Sequence, residues 1–255
     1  KYIYKMSENT KFNAAILIIG NEILSGRTQD TNTSTLATWL NSLGVKVGEV
    51  RVIPDIEGTI ISSLNLLRKN YNYVFTSGGI GPTHDDITSE SVSKAFNLPY
   101  EKHEEGYKIL KAYYKPGEFN DGRQKMIWMP RGAKLILNPT SGAPGFYVEN
   151  VFVLPGVPSI LKSMLGGIKN KIVGGNPIIS HTISLRTFES HIADSLTDVQ
   201  NKYQDVEIGS YPFFQAGKLG VSIVIRSDDQ NLINKCSYDV MSFVKEKNIE
   251  VVNRE

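Results

Sequence analysis

Residues 73–88 read YVFTSGGIGPTHDDIT. Tyr73 to Thr76 is a short apolar run of aromatic and β-branched residues, the composition of a buried strand. It passes directly into Ser77-Gly78-Gly79-Ile80-Gly81-Pro82-Thr83, and helical spacing resumes from about Thr88 to Phe96. Strand, glycine loop and helix form the repeating unit of a sheet whose crossovers are helical. Upstream, Ala14 to Gly20 (AAILIIG) is continuously apolar, which predicts a strand covered on both faces, as in a parallel sheet. Leu36, Trp39, Leu40 and Leu43 then recur at helical spacing before Gly44, and residues 45–53 alternate as a strand. A further helix is expected from Asp55, as its N-cap, to about Lys69. The rhythm predicts an α/β fold with a parallel sheet and helices on its faces. Ligands of such sheets bind outside the carboxyl ends of the strands, so the polar stretches at 20–32, Asp55 and 77–88 are expected on one rim.

Residues 101–129 read as helical, rich in Lys, Tyr and Glu, with a break at Pro116-Gly117. Short strands follow at 134–137, 145–148 and 151–154, and Pro155-Gly156-Val157-Pro158 leads into a helix carrying Ile160, Leu161, Met164 and Leu165. The stretch KIVGGNP at 171–177 holds two Gly and a Pro between patterned segments and marks a linker. Domains are therefore expected at 12–172 and 177–255. The second reads β-α-β-β-α: a strand at 178–186, a helix at 189–203, a strand pair at 207–214 and 219–225, and a final helix at 229–247. From Asn176 onward there are 8 basic and 11 acidic residues, against 20 and 15 before it.

In 255 residues, 40% hydrophobic and 21% charged, there is material for two folded cores. The 28 Lys and Arg against 26 Asp and Glu leave +2, no signature of a polyanion partner, so nucleic acid is not expected. The single cysteine, Cys236, excludes an internal disulfide and a Cys-rich zinc site and fits a reducing compartment. The longest apolar run, Ala14 to Ile19, is far below the roughly 18 residues of a membrane span. The start, KYIYKMSENTKF, lacks the apolar segment of a signal peptide. A soluble, cytoplasmic protein without membrane contact is the expectation.

Four loops could carry chemistry. In the first, Ser77, Gly78, Gly79, Gly81, Pro82 and Thr83 offer backbone amides at a helix start, where a phosphate is favoured. The spacing is neither a Walker loop nor a GxGxxG fingerprint, and a bare loop of this kind also serves as a plain turn. Asp85 and Asp86 follow at once. Adjacent carboxylates beside a phosphate repel it unless a divalent cation lies between, and such cations are held by carboxylates plus phosphate oxygens. The bland reading is that one Asp caps the helix and the other faces water. The second loop holds Gly20, Asn21, Glu22, Gly26, Thr31 and Asn32, with Thr31 or Asn32 also a candidate helix cap. The third holds Asn138, Gly142, Ala143, Pro144 and Gly145; the fourth, Pro155 and Gly156. Each alone reads as a turn, while four in one domain point to a ligand rim. His103, His181 and His191 lack metal-ligand spacing and read as structural. Gly217-Lys218-Leu219-Gly220 is a GxxG, but it lies between strands in an acidic segment and reads as a hairpin turn.

Taken together, GNEILSGRTQDTN at 20–32, SGGIGPTHDDIT at 77–88, GAPGF at 142–146 and PGVP at 155–158 resemble the molybdopterin-binding-like domain of competence/damage-inducible protein A (CinA). That domain also forms the amino-terminal half of eukaryotic FAD synthases. The similarity covers about Ala14 to Lys171 in the expected order, and Asn21 departs from the family's usual Asp. The resemblance implies a three-layer α/β/α sandwich with a mostly parallel sheet, followed by a small α+β KH-like domain. It implies a glycine loop that binds a phosphorylated pterin or nucleotide, with Asp55 and Asp86 at positions serving metal binding and adenylyl transfer, and Asp85 beside them. The implied activity is hydrolysis of a nucleotide pyrophosphate of the ADP-ribose or FAD class, with Co²⁺ or Mg²⁺ and a potassium ion. The alternative it implies is a protein that binds molybdopterin or a nucleotide without turnover. An RNA or protein partner for the second domain is a third reading. The family is often oligomeric, so a homo-oligomer is expected. The amidohydrolase that follows in CinA is missing from the sequence, so no nicotinamide mononucleotide deamidase activity is expected.

Overall fold

The structure is a computed structural model and describes residues 12–215 and 217–252. The amino-terminal reading of residues 1–11 lies outside these. The chain divides into two compact units between Gly175 and Asn176.

The first unit begins with β1 (Phe12–Ile19), α1 (Asn21–Leu24), α2 (Asn32–Ser42), β2 (Val45–Ile53), α3 (Glu57–Asn70), β3 (Tyr73–Ser77) and α4 (Thr88–Ala95). It continues with β4 (Tyr100–Lys102), α5 (Glu104–Tyr113), α6 (Asp121–Lys125), β5 (Trp128–Pro130), β6 (Lys134–Ile136), β7 (Gly145–Val148), β8 (Val151–Leu154) and α7 (Pro158–Ile168). The six residues Ala14 to Ile19 are all buried, and the strand's two-residue period divides them. Ala14, Ile16 and Ile18 enter one core with Leu36 and Leu40 of α2 and Leu161, Met164 and Leu165 of α7. Ala15, Leu17 and Ile19 enter the other with Ile60, Leu64 and Leu67 of α3 and Val92 and Ala95 of α4. One apolar strand thus feeds two cores, which produces the three-layer α/β/α sandwich.

The sheet runs β2-β1-β3-β8-β7-β6. The strands β2, β1, β3 and β8 are parallel, while β7 is antiparallel to β8 and β6 to β7. Strand order reverses at β1, which lies between β2 and β3, so the switch-point crevice opens at the carboxyl ends of β1 and β3. The antiparallel β7 pairs Phe146 with Val153, and β6 pairs Ile136 with Gly145. That register returns the 137–144 loop to the same rim.

The continuous helical reading of 101–129 is corrected. There β4 and β5 form an antiparallel ribbon, with Lys102 opposite Trp128, and only α5 and α6 between them are helical. Three-residue strands are too short to show a period. His103 is structural: its ring accepts the Gly106 N–H at 3.2 Å and caps α5.

The second unit contains β9 (Ile179–Leu185), α8 (Glu189–Lys202), β10 (Glu207–Gln215), β11 (Lys218–Ser227) and α9 (Gln230–Glu246). Its antiparallel sheet runs β10-β11-β9, with Gln215 opposite Lys218 at the hairpin turn. Ile183, Leu185, Val221, Ile223 and Ile225 pack with Ile192 and Val199 of α8 and Ile233 and Val240 of α9. Cys236 is buried in this core, and burial pushes its thiol up to about 11. Among the described residues no helix is long and apolar enough to cross a membrane.

Candidate functional site

At the switch point the glycine loop leaves β3 against the end of β1. Gly78 adopts φ 111° and Gly79 φ 69°, conformations that favour glycine. A Cβ on Gly78 would lie 2.1 Å from the Ile19 carbonyl oxygen, so the loop crosses the neighbouring strand at a distance only glycine permits. The Gly78 amide, expected among the phosphate donors, instead donates to the Leu154 carbonyl at 3.1 Å. Among the described residues the amides of Gly79 and Gly81 have no acceptor. The Thr88 amide donates to the Gly79 carbonyl at 2.9 Å, which folds the loop back onto the start of α4. The buried Thr88 Oγ1 has no partner and would stand 2.2 Å from a Gly79 Cβ. A buried hydroxyl left without a partner calls for a ligand or water.

The acidic residues separate into two roles. Asp55 was expected to cap α3, but the N-cap is Ile56, and Asp55 Oδ2 accepts the Asn21 amide at 2.9 Å. Asp55 therefore joins the β1 and β2 loops, with its other oxygen 3.6 Å from where a Gly79 Cβ would be. Burial holds its carboxyl above the ordinary range, and the charges of Glu22 and Asp85 push in the same direction. Asp85 is exposed and held below its ordinary value, first by the Thr83 hydroxyl, which it shares with Asp86, and also by the nearby His84 and Lys125 charges. Asp86 instead closes its own turn: Oδ2 accepts the Thr83 amide at 2.9 Å and the Thr83 hydroxyl. Glu22, Asp55 and Asp85 thus form one electrostatic neighbourhood, and Asp86 shapes the loop. Among the described residues no three His, Cys, Asp or Glu side chains converge as a ready-made metal site.

Asn32 at the start of α2 ties three of the loops together. Its Nδ2 donates to Ser77 Oγ at 2.9 Å and to the Gly156 carbonyl at 2.7 Å, and Ser77 Oγ donates to the Pro155 carbonyl at 3.2 Å. The first turn of α2 is served by Asp30, which accepts the Asn32 and Thr33 amides, rather than by Thr31 or Asn32. Asn32 Oδ1 is buried and unpartnered.

Other predicted residues have architectural roles. The Gly20 amide donates to the Ile53 carbonyl at 3.1 Å. Gly26, at φ 73°, closes α1 in open space. Asn138 uses its whole amide on its own loop, donating to Ser141 Oγ and the Ala143 carbonyl and accepting the Thr140 and Ser141 amides. Gly145 lies where a Cβ would meet the Val153 carbonyl at 2.4 Å, as sheet pairing requires. Pro144 is buried and Pro82 is exposed.

Residues 15–174 match the family described as "Probable molybdopterin binding domain". A protein of Archaeoglobus fulgidus is 36% identical over 77% of this chain and 84% of its own length. The chain belongs to the molybdopterin-binding domain family. A CinA-like protein of Syntrophus aciditrophicus is 31% identical over 82% of this chain and 53% of its own length. The crystal structure of the protein CinA, of unknown function, from Thermoplasma acidophilum covers 63% of this chain and 99% of that one, with 31% identity and a TM-score of 0.59. Residues 177–253 match the family described as "FAD synthase, middle domain".

For this family member, sequence reasoning overlooked Thr88 as a site residue. The signal was its place two residues after Asp86, at the first turn of α4. It also gave Asn32 a ligand role without its bracing one. Asn32→Ala leaves Ser77 and Gly156 without their donor and is expected to destabilise the protein by about 2 kcal/mol in urea unfolding. Asn32→Asp is expected to cost more, because a carboxylate oxygen would then oppose the Gly156 carbonyl. An unchanged midpoint in both would remove Asn32 as a brace.

Proposed function

We propose that the first unit hydrolyses the diphosphate of a nucleotide of the ADP-ribose or FAD class in the presence of a divalent ion. One observation carries this reading. The unpaired Gly79 amide and the unpaired Thr88 hydroxyl stand beside Asp55, whose carboxyl feels the charges of Glu22 and Asp85, and the unpaired Gly81 amide belongs to a residue that lies against the Asp86 carboxylate. Anion donors next to like-charged carboxylates are compatible with a phosphate only when a cation joins the two. The family description of the first unit supports a pterin-like ligand there.

A divalent ion, cobalt or magnesium, would be held by Asp55 with Asp85 or Glu22, and would supply polarisation of a phosphoryl oxygen and a more acidic water. The chain's own part begins with the Gly79 and Gly81 amides, which bind the diphosphate oxygens and stabilise the charge that grows on them. The Thr88 hydroxyl adds a donor. Asp55 keeps Oδ1 free of Asn21 on the side of Gly79, where it is placed to hold the ion beside the phosphate. Asp86 keeps the loop in shape through Thr83. Water adds to one phosphorus, the bridging P–O bond breaks, and ADP-ribose yields AMP and ribose 5-phosphate.

The test is incubation of the full chain with ADP-ribose or FAD and Co²⁺ or Mg²⁺. AMP is expected with the ion and not with excess chelator. The family description "Probable molybdopterin binding domain" supports a second reading, a protein that holds a pterin or nucleotide without turning it over. Saturable binding with no AMP would select that reading.

A further inference from the structure

We propose that Tyr113 is the stacking platform for the planar ring of the bound nucleotide, an inference that rests on the diphosphate reading above. Tyr113 is the last residue of α5, and despite its size it is 53% exposed. Its ring is not loose in solvent. A Cβ on Gly142, in the third rim loop, would lie 2.6 Å from the ring's Cγ, so the missing side chain at Gly142 is what seats the ring on that loop. Gly142 also adopts φ 75°, which any other residue would strain.

The ring has support behind it. Tyr114 meets it edge-on at 5.2 Å, stacks on Phe119 at 6.1 Å and carries the Arg123 guanidinium 4.1 Å over its face. The far end of the same arm, residues 113–125, is fastened to the glycine loop. There Lys125 Nζ donates to the Thr83 carbonyl, and a Cβ on Gly122 would lie 3.5 Å from the Pro82 carbonyl oxygen. The arm therefore runs from the phosphate loop to the outer rim loop and presents a half-exposed aromatic ring at its outer end. Leu137, at the start of that outer loop, is 58% exposed and adds apolar surface.

A nucleotide diphosphate has a charged centre and a flat, weakly hydrated ring at its end. With the charge on Gly79 and Gly81, the ring needs an aromatic or apolar face farther along the rim. Tyr113 is an exposed aromatic residue on an arm braced to both loops, and every base has a π-face for it to stack on.

The test compares Kd values, by calorimetry in Mg²⁺, for a methylene-bridged ADP-ribose analogue and for methylenediphosphonate, which shares the bridge and lacks the base. The proteins are the wild-type full chain, Tyr113→Leu and Tyr113→Phe. Tyr113→Leu is expected to weaken the nucleotide analogue about tenfold or more, the scale of one stacking contact, and methylenediphosphonate less than about twofold. Tyr113→Phe, which keeps the ring, is expected to bind the analogue like wild type. If Tyr113→Leu binds the analogue as tightly as wild type, or loses both ligands equally, the stacking role is overturned and the diphosphate reading stands. If wild type binds neither ligand, the diphosphate reading fails and takes this inference with it.

Discussion

Asp55→Asn is expected to lower ADP-ribose hydrolysis by about 100-fold or more while leaving the fold intact. The substitution keeps an oxygen that can accept the Asn21 amide, so the joint between the β1 and β2 loops survives. What it removes is the charge that would hold a cation beside the glycine loop. The stability sign is informative. Burial, with Glu22 and Asp85, raises this carboxyl in the folded protein, so the ionised form is disfavoured there relative to the unfolded chain. Above its ordinary pKa the group therefore lowers stability, and the penalty fades as pH falls through the raised folded value. Asparagine carries no such penalty, so Tm at neutral pH is expected to stay level or rise. A loss of turnover with no loss of stability marks a functional residue rather than a structural one. Retained turnover in a folded Asp55→Asn protein would remove Asp55 from the chemistry.

Gly78→Ala is expected to give the largest stability loss of any single methyl group added to this rim. The atom it would strike, the Ile19 carbonyl oxygen at 2.1 Å, belongs to the backbone of the central strand and cannot rotate away. The Gly78 amide is also anchored to Leu154 on the far side, so the loop cannot simply back off. Positive φ adds its own penalty. A destabilisation of at least about 3 kcal/mol is expected, a fall in Tm on the order of 10 °C by calorimetry. Gly26→Ala is the control: its φ is also positive, at 73°, but open space surrounds it, and about 1 kcal/mol is expected. Equal effects at the two positions would contradict the close crossing at Gly78.

The sandwich was legible because Ala14 to Ile19 is apolar without a break and is followed by alternating helical and strand patterns, which suits a strand covered by helices on both faces. The glycine loop was legible because its residues are consecutive. Partnerships across the chain were not. Nothing local distinguishes the Gly78 amide, bound to Leu154, from the Gly79 amide next to it. Asp55 precedes a helix and so reads as a cap, until the fold brings Asn21 to it from 34 residues away. Asp85 and Asp86 look equivalent in sequence, and it is the Thr83 amide, accepted by Asp86, that ties one to the loop, while Asp85 shares the neighbourhood of Asp55. The 101–129 segment misread because its three-residue strands are too short for a two-residue alternation to repeat, and its aromatic arm gains meaning only once Gly142 lies beside Tyr113.

The most direct test of the account is a crystal structure of the full chain with the methylene-bridged ADP-ribose analogue and Mg²⁺. Both phosphorus atoms are expected at the β1–β3 switch point, with oxygens in hydrogen-bond reach of the Gly79 and Gly81 amides and the ion between them and Asp55. A diphosphate found on the Asn138 loop or on the second unit, with the switch point holding only water, would contradict it.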